Sequence, residues 1–252
     1  MKITSVNNDL VKETAKLQQR KYRDDSGLFL LEGDKCIEEA LTFGIEIEKL
    51  FILEGYKKFL DVKNTELIET TEAVLSKISS TAAAPKTVGI AKQPKQLWKN
   101  DFKNILLLEG IKDAGNLGTI VRTSAAFGID AIILYGDTVD LYNPKCVRSS
   151  VGNLWKVPVF EIKDFDVLKN RCNEYTPVGT LPKAENTVWL NDFIPSEKNL
   201  IMFGTESTGL SEKLKNYAQT NITIEMSKNV ESLNLSMSVG IILYNFFIKQ
   251  LF

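Results

Sequence analysis

The chain of 252 residues contains no histidine, and that absence removes whole classes of mechanism. Ser-His-Asp hydrolysis, histidine general bases and histidine-ligated metals are all excluded, so any proton movement falls to carboxylates, lysine, tyrosine, solvent or the substrate. Cysteine is also scarce: Cys36, Cys146 and Cys172 are odd in number, far apart and outside CxxC spacing. They support neither a disulfide framework nor a zinc site, and buried inert thiols are expected. No run approaches the ~20 apolar residues of a membrane span, and the opening MKITSVNNDLVKE lacks the apolar stretch of a signal peptide. The expectation is a cytoplasmic protein with no metal and no membrane partner. Charge of one sign is not in excess either. The net charge of −1 neither announces nor forbids nucleic acid, because phosphate binding depends on local basic patches.

What is present is an ordinary globular composition, long enough for one large domain or two modest ones. The first half reads as a small α/β unit: a polar helix over Asp9 to Tyr22, a strand over Leu28 to Glu32, a helix over Lys35 to Phe43 and a strand over Ile47 to Leu53, with short elements to about Ser80. Thr81 to Phe102 combines small residues, two prolines and several lysines and marks a boundary, placed at Gln96 so that Val88 to Ala91 can close the first domain. The expected domains are therefore 1–96 and 97–252. From Asn104 onward strand and helix alternate: strand Ile105 to Leu108, helix Leu117 to Phe127, strands Ala131 to Tyr135, Leu200 to Phe203 and Ile222 to Ile224, and a last apolar helix from about Leu235 to Lys249. This alternation predicts a mainly parallel sheet covered on both faces. The strand, Leu-Glu-Gly, helix, Phe-Gly-Ile, strand plan occurs in both halves, which reads as two βαβ units rather than a repeat array.

Three segments follow apolar runs of the second half and carry small residues beside a few polar ones: Asp113 to Gly128, Leu200 to Ser211 and Ile222 to Gly240. In the first, Asn116 is placed to cap the following helix, Leu117, Ile120, Val121 and Ala125 form its inward stripe, and Arg122 lies on another face. A helix start followed by a guanidinium is a phosphate grip or, equally, a plain helix with a solvated arginine. The second, GTESTGLS, has the glycine and serine spacing of a phosphate loop, but Leu210 stands where lysine is needed and Glu206 repels phosphate. A carboxylate there suits a ligand with positive charge or hydrogen-bond donors. The third places Ser232 and Asn234 on one side of an extended segment, where Asn234 can also cap the last helix. Open α/β sheets bind ligands at the strand ends where these segments begin.

Together the three segments resemble the three motifs of the SpoU (TrmH-like) branch of the SPOUT methyltransferases, over a region from about Lys103 to the end. Val147 to Val159 is similar to that family's small-residue segment before a Val-Pro strand, and the first 40 residues look like its N-terminal substrate-binding domain. One departure is Ala114, where the family usually has proline. The resemblance implies a trefoil-knotted, mainly parallel α/β sheet with a smaller L30e/L7Ae-like α/β domain before it. It implies RNA ribose 2′-O-methylation with S-adenosylmethionine as cofactor, held around Gly204, Thr205, Glu206, Ile224, Met226, Leu233 and Asn234. Its catalytic set maps onto Asn116, Arg122, Glu206, Ser232 and Asn234; family accounts often make the arginine the general base, but a guanidinium offers only donors, so Arg122 is expected on the target phosphate instead, with Glu206 holding Arg122 or the donor side. It further implies a homodimer with shared sites and a ribosomal RNA substrate, with transfer RNA or an inactive RNA-binding protein of the same fold as alternatives. For RNA contact, Lys12, Lys16, Arg20 and Arg23 recur at near-helical spacing, and Lys145, Arg148 and Lys156 add to Arg122.

Overall fold

The computed structural model describes every residue except Glu185, Lys228, Glu231 and Phe252, and Leu251 by its backbone alone. Contacts divide the chain into two units, Met1–Lys95 with Asp140–Trp155, and Gln96–Val139 with Lys156–Phe252. The excursion 140–155 has no place in the expected division at residue 96.

The first unit runs β1 (Lys2–Ile3), α1 (Asp9–Lys16), α2 (Arg20–Ser26), β2 (Leu28–Glu32), α3 (Asp34–Thr42), β3 (Ile47–Leu53), β4 (Glu66–Thr70), α4 (Glu72–Ile78) and β5 (Thr87–Lys92). Its sheet order is β1-β4-β3-β5-β2, parallel except that β5 runs antiparallel between β3 and β2. Leu30, Phe51, Ile68, Leu75, Ile78 and Val88 form its core. The expected single helix over Asp9 to Tyr22 is two. Thr14 Oγ1 bonds back to the Leu10 carbonyl, and Leu17, Gln18 and Gln19 close tight turns onto carbonyls three residues earlier. The Gln18 amide is then drawn to the Lys77 and Ser79 carbonyls, a tertiary contact that competes with helix continuation.

The second unit begins with β6 (Asn104–Glu109), α5 (Ala114–Ala126) and β7 (Ala131–Tyr135). The chain then contributes α6 (Pro144–Ser149) and a short 3-10 turn (Asn153–Trp155) to the first unit. It returns with β8 (Val159–Ile162), α7 (Phe165–Arg171), β9 (Thr176–Thr180), β10 (Thr187–Trp189), β11 (Asn199–Phe203), α8 (Glu212–Tyr217), β12 (Thr220–Thr223) and α9 (Leu235–Leu251). The seven strands pair in the order β10-β12-β9-β11-β6-β7-β8, and every pairing is parallel. NILLLE, AIILY and NLIMF are each buried almost throughout, the pattern of strands covered on both faces. Because all strands run one way, the carboxyl ends at Glu109, Phe203 and Thr223 share one edge of the sheet, where α/β folds place their ligands.

Helix α5 starts three residues earlier than expected, and this corrects the role of Asn116. Asp113 is the N-cap, its carboxylate accepting from the Asn116 backbone N–H at 2.7 Å. Ala114 is thus the first helical residue, a position whose N–H needs no partner and which proline also tolerates. Asn116 sits one turn in, with its side chain free to point elsewhere. Among the described residues no helix is long and apolar enough to cross a membrane, and no group of three His, Cys, Asp or Glu could hold a metal.

Candidate active site

Three side chains, one from each of the segments beyond β6, β11 and β12, meet at the carboxyl edge of the sheet. Asn116 Nδ2 donates to Glu206 Oε1 at 3.1 Å, and Asn234 Nδ2 donates to Asn116 Oδ1 at 3.3 Å. Asn116 therefore spends both ends of its carboxamide on joining the other two. The Asn234 carboxamide oxygen accepts from the Ser236 N–H and hydroxyl, at 2.9 and 2.6 Å, so Asn234 caps α9 and reaches the site at once.

The loop carrying Glu206 is held from within. Thr205 and Gly209 exchange backbone hydrogen bonds of 3.0 and 3.1 Å, and the Thr205 and Thr208 hydroxyls pair at 2.7 Å. Gly204 is obligatory: a Cβ there would lie 1.9 Å from the Gly209 carbonyl carbon. The end of the loop is tied to β6, because the Ser211 N–H donates to Glu109 Oε2 at 2.7 Å. Glu109 and Asp113 are the two positioning residues that the sequence reading missed. Each stands directly after an apolar run or before a small-residue helix start, and only the fold shows which N–H it meets.

Of the remaining expected site residues, Arg122 is exposed on α5 and makes no hydrogen bond among the described residues, and Ser232 is likewise exposed. Glu206 holds Asn116, not Arg122. Ile224 lies one residue beyond β12, which ends at Thr223 rather than at Ile224 as expected. Met226 and Leu233 are exposed apolar side chains in the same segment. A tight carboxylate-bearing loop beside exposed apolar side chains fits an amphipathic ligand carrying positive charge, which is the character of S-adenosylmethionine.

The expected basic face is overturned at one position. Arg23 is 1% exposed and forms a two-pronged ion pair with Asp140, Nε to Oδ1 at 3.2 Å and Nη2 to Oδ2 at 2.6 Å, while Nη1 donates to the Leu17 carbonyl. The break between α1 and α2 turns it inward, so it cannot meet RNA. Arg148 is engaged as well, pairing with buried Glu32, which also accepts from the Ser80 N–H. Lys12, Lys16 and Arg20 remain at the surface, each paired with a nearby acid, Asp9, Glu13 and Asp24 respectively. Lys145 and Lys156 are exposed.

A parallel α/β sheet with three loops joined through side chains at its carboxyl edge has the form of a ligand-binding site. The chain belongs to the SpoU rRNA Methylase family, whose pattern it matches over residues 103–244, and residues 8–89 match the MRM3-like substrate binding domain. It is 34% identical to an uncharacterized tRNA/rRNA methyltransferase of Synechocystis sp., over 96% of this chain and 92% of that one. It is 26% identical to the Bacillus subtilis 23S rRNA (guanosine(2553)-2′-O)-methyltransferase RlmP, over 96% and 98%. The AdoMet-bound rRNA methyltransferase from Sinorhizobium meliloti superposes with a TM-score of 0.89 at 27% identity, covering 100% of this chain and 98% of that one. The protein is an S-adenosylmethionine-dependent RNA 2′-O-methyltransferase.

Proposed function

We propose that this enzyme methylates one ribose 2′-hydroxyl of ribosomal RNA in the cytoplasm, acting as a homodimer. The observation that carries the reading is the Asn234–Asn116–Glu206 join, which locks three loops into one surface at the ligand-binding edge. The S. meliloti structure holds AdoMet in the same fold, and the B. subtilis relative is named for a ribosomal target.

When bound, S-adenosylmethionine supplies an already activated methyl group, so alignment is the enzyme's main task. The residues placed to hold it are Gly204, Thr205 and Glu206 on one loop, and Ile224, Met226, Leu233 and Asn234 on the other. The Arg122 guanidinium offers only hydrogen-bond donors and so is not the general base. Its role is to grip the target phosphate and to stabilise charge developing on the 2′-oxygen, while the proton leaves to phosphate or water. Asn116, Ser232 and Asn234 orient the ribose, and Glu206 fixes Asn116.

Threading of the last segment into a trefoil knot is supported by β12 lying between β10 and β9 rather than at an edge. The dimer is supported by α9, where Met237, Ile241 and Tyr244 stand 60%, 38% and 53% exposed at one-turn intervals, an apolar stripe that a second copy would cover. Arg122, with no partner among the described residues of its own chain, is then available to a neighbouring subunit's site. In this reading residues 1–96 bind the substrate and residues 97–252 carry catalysis. Transfer of labelled methyl from S-adenosylmethionine to bulk ribosomal RNA tests the reading. Label in ribose 2′-O positions supports it, and donor binding without any transfer to RNA overturns it.

A further inference from the structure

At the opposite edge of the second unit's sheet, ahead of β6, β9 and β11, lies a polar pocket of about 410 Å³ lined by Trp98, Asn100, Asn170, Arg171, Asn173, Glu174 and Tyr175. Its composition differs from that of a packing defect. Trp98 rests edge-on against Phe102 and Phe160, with ring centroids 5.4 and 5.1 Å away, which fixes the indole to the core. Arg171 lies over that indole, its Cζ 5.0 Å from the ring centroid. The carboxamides of Asn100, Asn170 and Asn173 make no hydrogen bond among the described residues, leaving donors and acceptors at the rim. Glu174 is neutralised by Lys198 at 2.6 Å, so Arg171 sets the sign of the pocket.

We infer that this pocket is a second RNA subsite, taking one unpaired nucleotide of the substrate strand away from the methylated ribose. A fixed aromatic carrying a guanidinium is a stacking platform for a base, and unpaired carboxamides match the mixed donor and acceptor edges that bases present. The Arg171 guanidinium suits the adjoining phosphate, and Lys99 directly follows Trp98 in the chain. β6 has six residues, so the subsite stands on the order of 20 Å from the catalytic edge at ~3.3 Å per residue. Such a separation makes it an anchor for flanking RNA rather than part of the reaction centre. A purely structural account has Arg171 packing on Trp98 and offsetting the carbonyl end of α7, roles that leave RNA affinity of the folded protein unmoved.

This inference rests on the RNA methyltransferase reading, and its test separates the two. A short labelled single-stranded oligoribonucleotide is titrated into the wild-type chain, the Arg171→Lys variant and the Asn170→Ala/Arg171→Ala/Asn173→Ala variant, all exposed replacements, with S-adenosylmethionine affinity measured in parallel. The subsite predicts oligonucleotide binding about tenfold weaker in the triple variant. It also predicts no rescue by lysine, a raised KM for RNA and unchanged donor affinity and kcat. Equal oligonucleotide affinity in all three proteins, or full activity of lysine in place of arginine, overturns it. Loss of donor binding in the wild-type chain would instead count against the methyltransferase reading while leaving the oligonucleotide result interpretable. Competition by a free nucleoside monophosphate distinguishes recognition of the nucleotide from recognition of the longer strand.

Discussion

Asn116 and Glu206 are ninety residues apart in sequence and 3.1 Å apart at the carboxyl edge of the sheet, amide donating to carboxylate. Because Asn234 closes on the other end of the same amide, one side chain sets the spacing of three loops. Replacing Asn116 with aspartate removes the donor and sets two carboxylates side by side. Turnover should fall by about 100-fold, the scale of a misplacement near 1 Å, with the fold retained. Steady-state kinetics together with circular dichroism check this, and wild-type turnover in the variant would remove the join from catalysis.

Arg122 has a different role and a different signature. Arg122→Lys keeps a positive charge but loses the planar fork, so donor affinity should be unchanged while kcat drops on the order of 10²–10³-fold. Calorimetry with S-adenosylmethionine beside a single-turnover methylation assay separates the two quantities. Unaltered turnover would take Arg122 out of the mechanism.

The buried Arg23–Asp140 pair belongs to stability rather than to RNA binding. With both side chains almost wholly enclosed, Arg23→Ala strands a carboxylate and should cost about 3–5 kcal/mol of folding free energy. RNA affinity of the folded variant should match wild type. Denaturant titration and RNA binding at low temperature are the two measurements, and a stable variant with weakened RNA binding would reverse the assignment.

The three buried cysteines make the chain alkali-sensitive. Burial pushes Cys36 from 9.0 up to about 11 and Cys172 up to about 12, and raises Cys146 further in the same direction. Unfolded thiols ionise near 9.0 while the folded ones stay protonated, so the unfolded chain binds fewer protons above that pH. The contribution is complete below 9.0 and is lost as pH rises through the folded values. Denaturation midpoints should therefore fall steadily above pH 9.0, and thiol reagents should label the native protein only as it opens. Rapid labelling of the folded chain at neutral pH would contradict the burial.

Long apolar runs were legible because their burial depends on their own residues: NILLLE, AIILY and NLIMF announce strands before any partner is known. β9 was not, since TPVGT places Pro177 and Gly179 inside a strand and reads as a turn. A neighbour explains the glycine: a Cβ on Gly179 would meet Asn221 Oδ1 of β12 at 2.3 Å. The same holds within the site. Asn116, Glu206 and Asn234 could be chosen from their motifs, but that Asp113 takes the cap and releases the Asn116 side chain is a matter of where the helix begins. Arg23 was misassigned because its phase was extended from a helix that ends at Lys16.

The most direct test of the central account is nucleotide-resolved mapping of 2′-O-methyl groups on ribosomal RNA incubated with S-adenosylmethionine and either the wild-type chain or Asn116→Asp. The account predicts one ribose that gains its 2′-O-methyl with the wild-type chain and gains it far more slowly with the variant. A methyl group found on a base, or equal ribose methylation by both proteins, would contradict it.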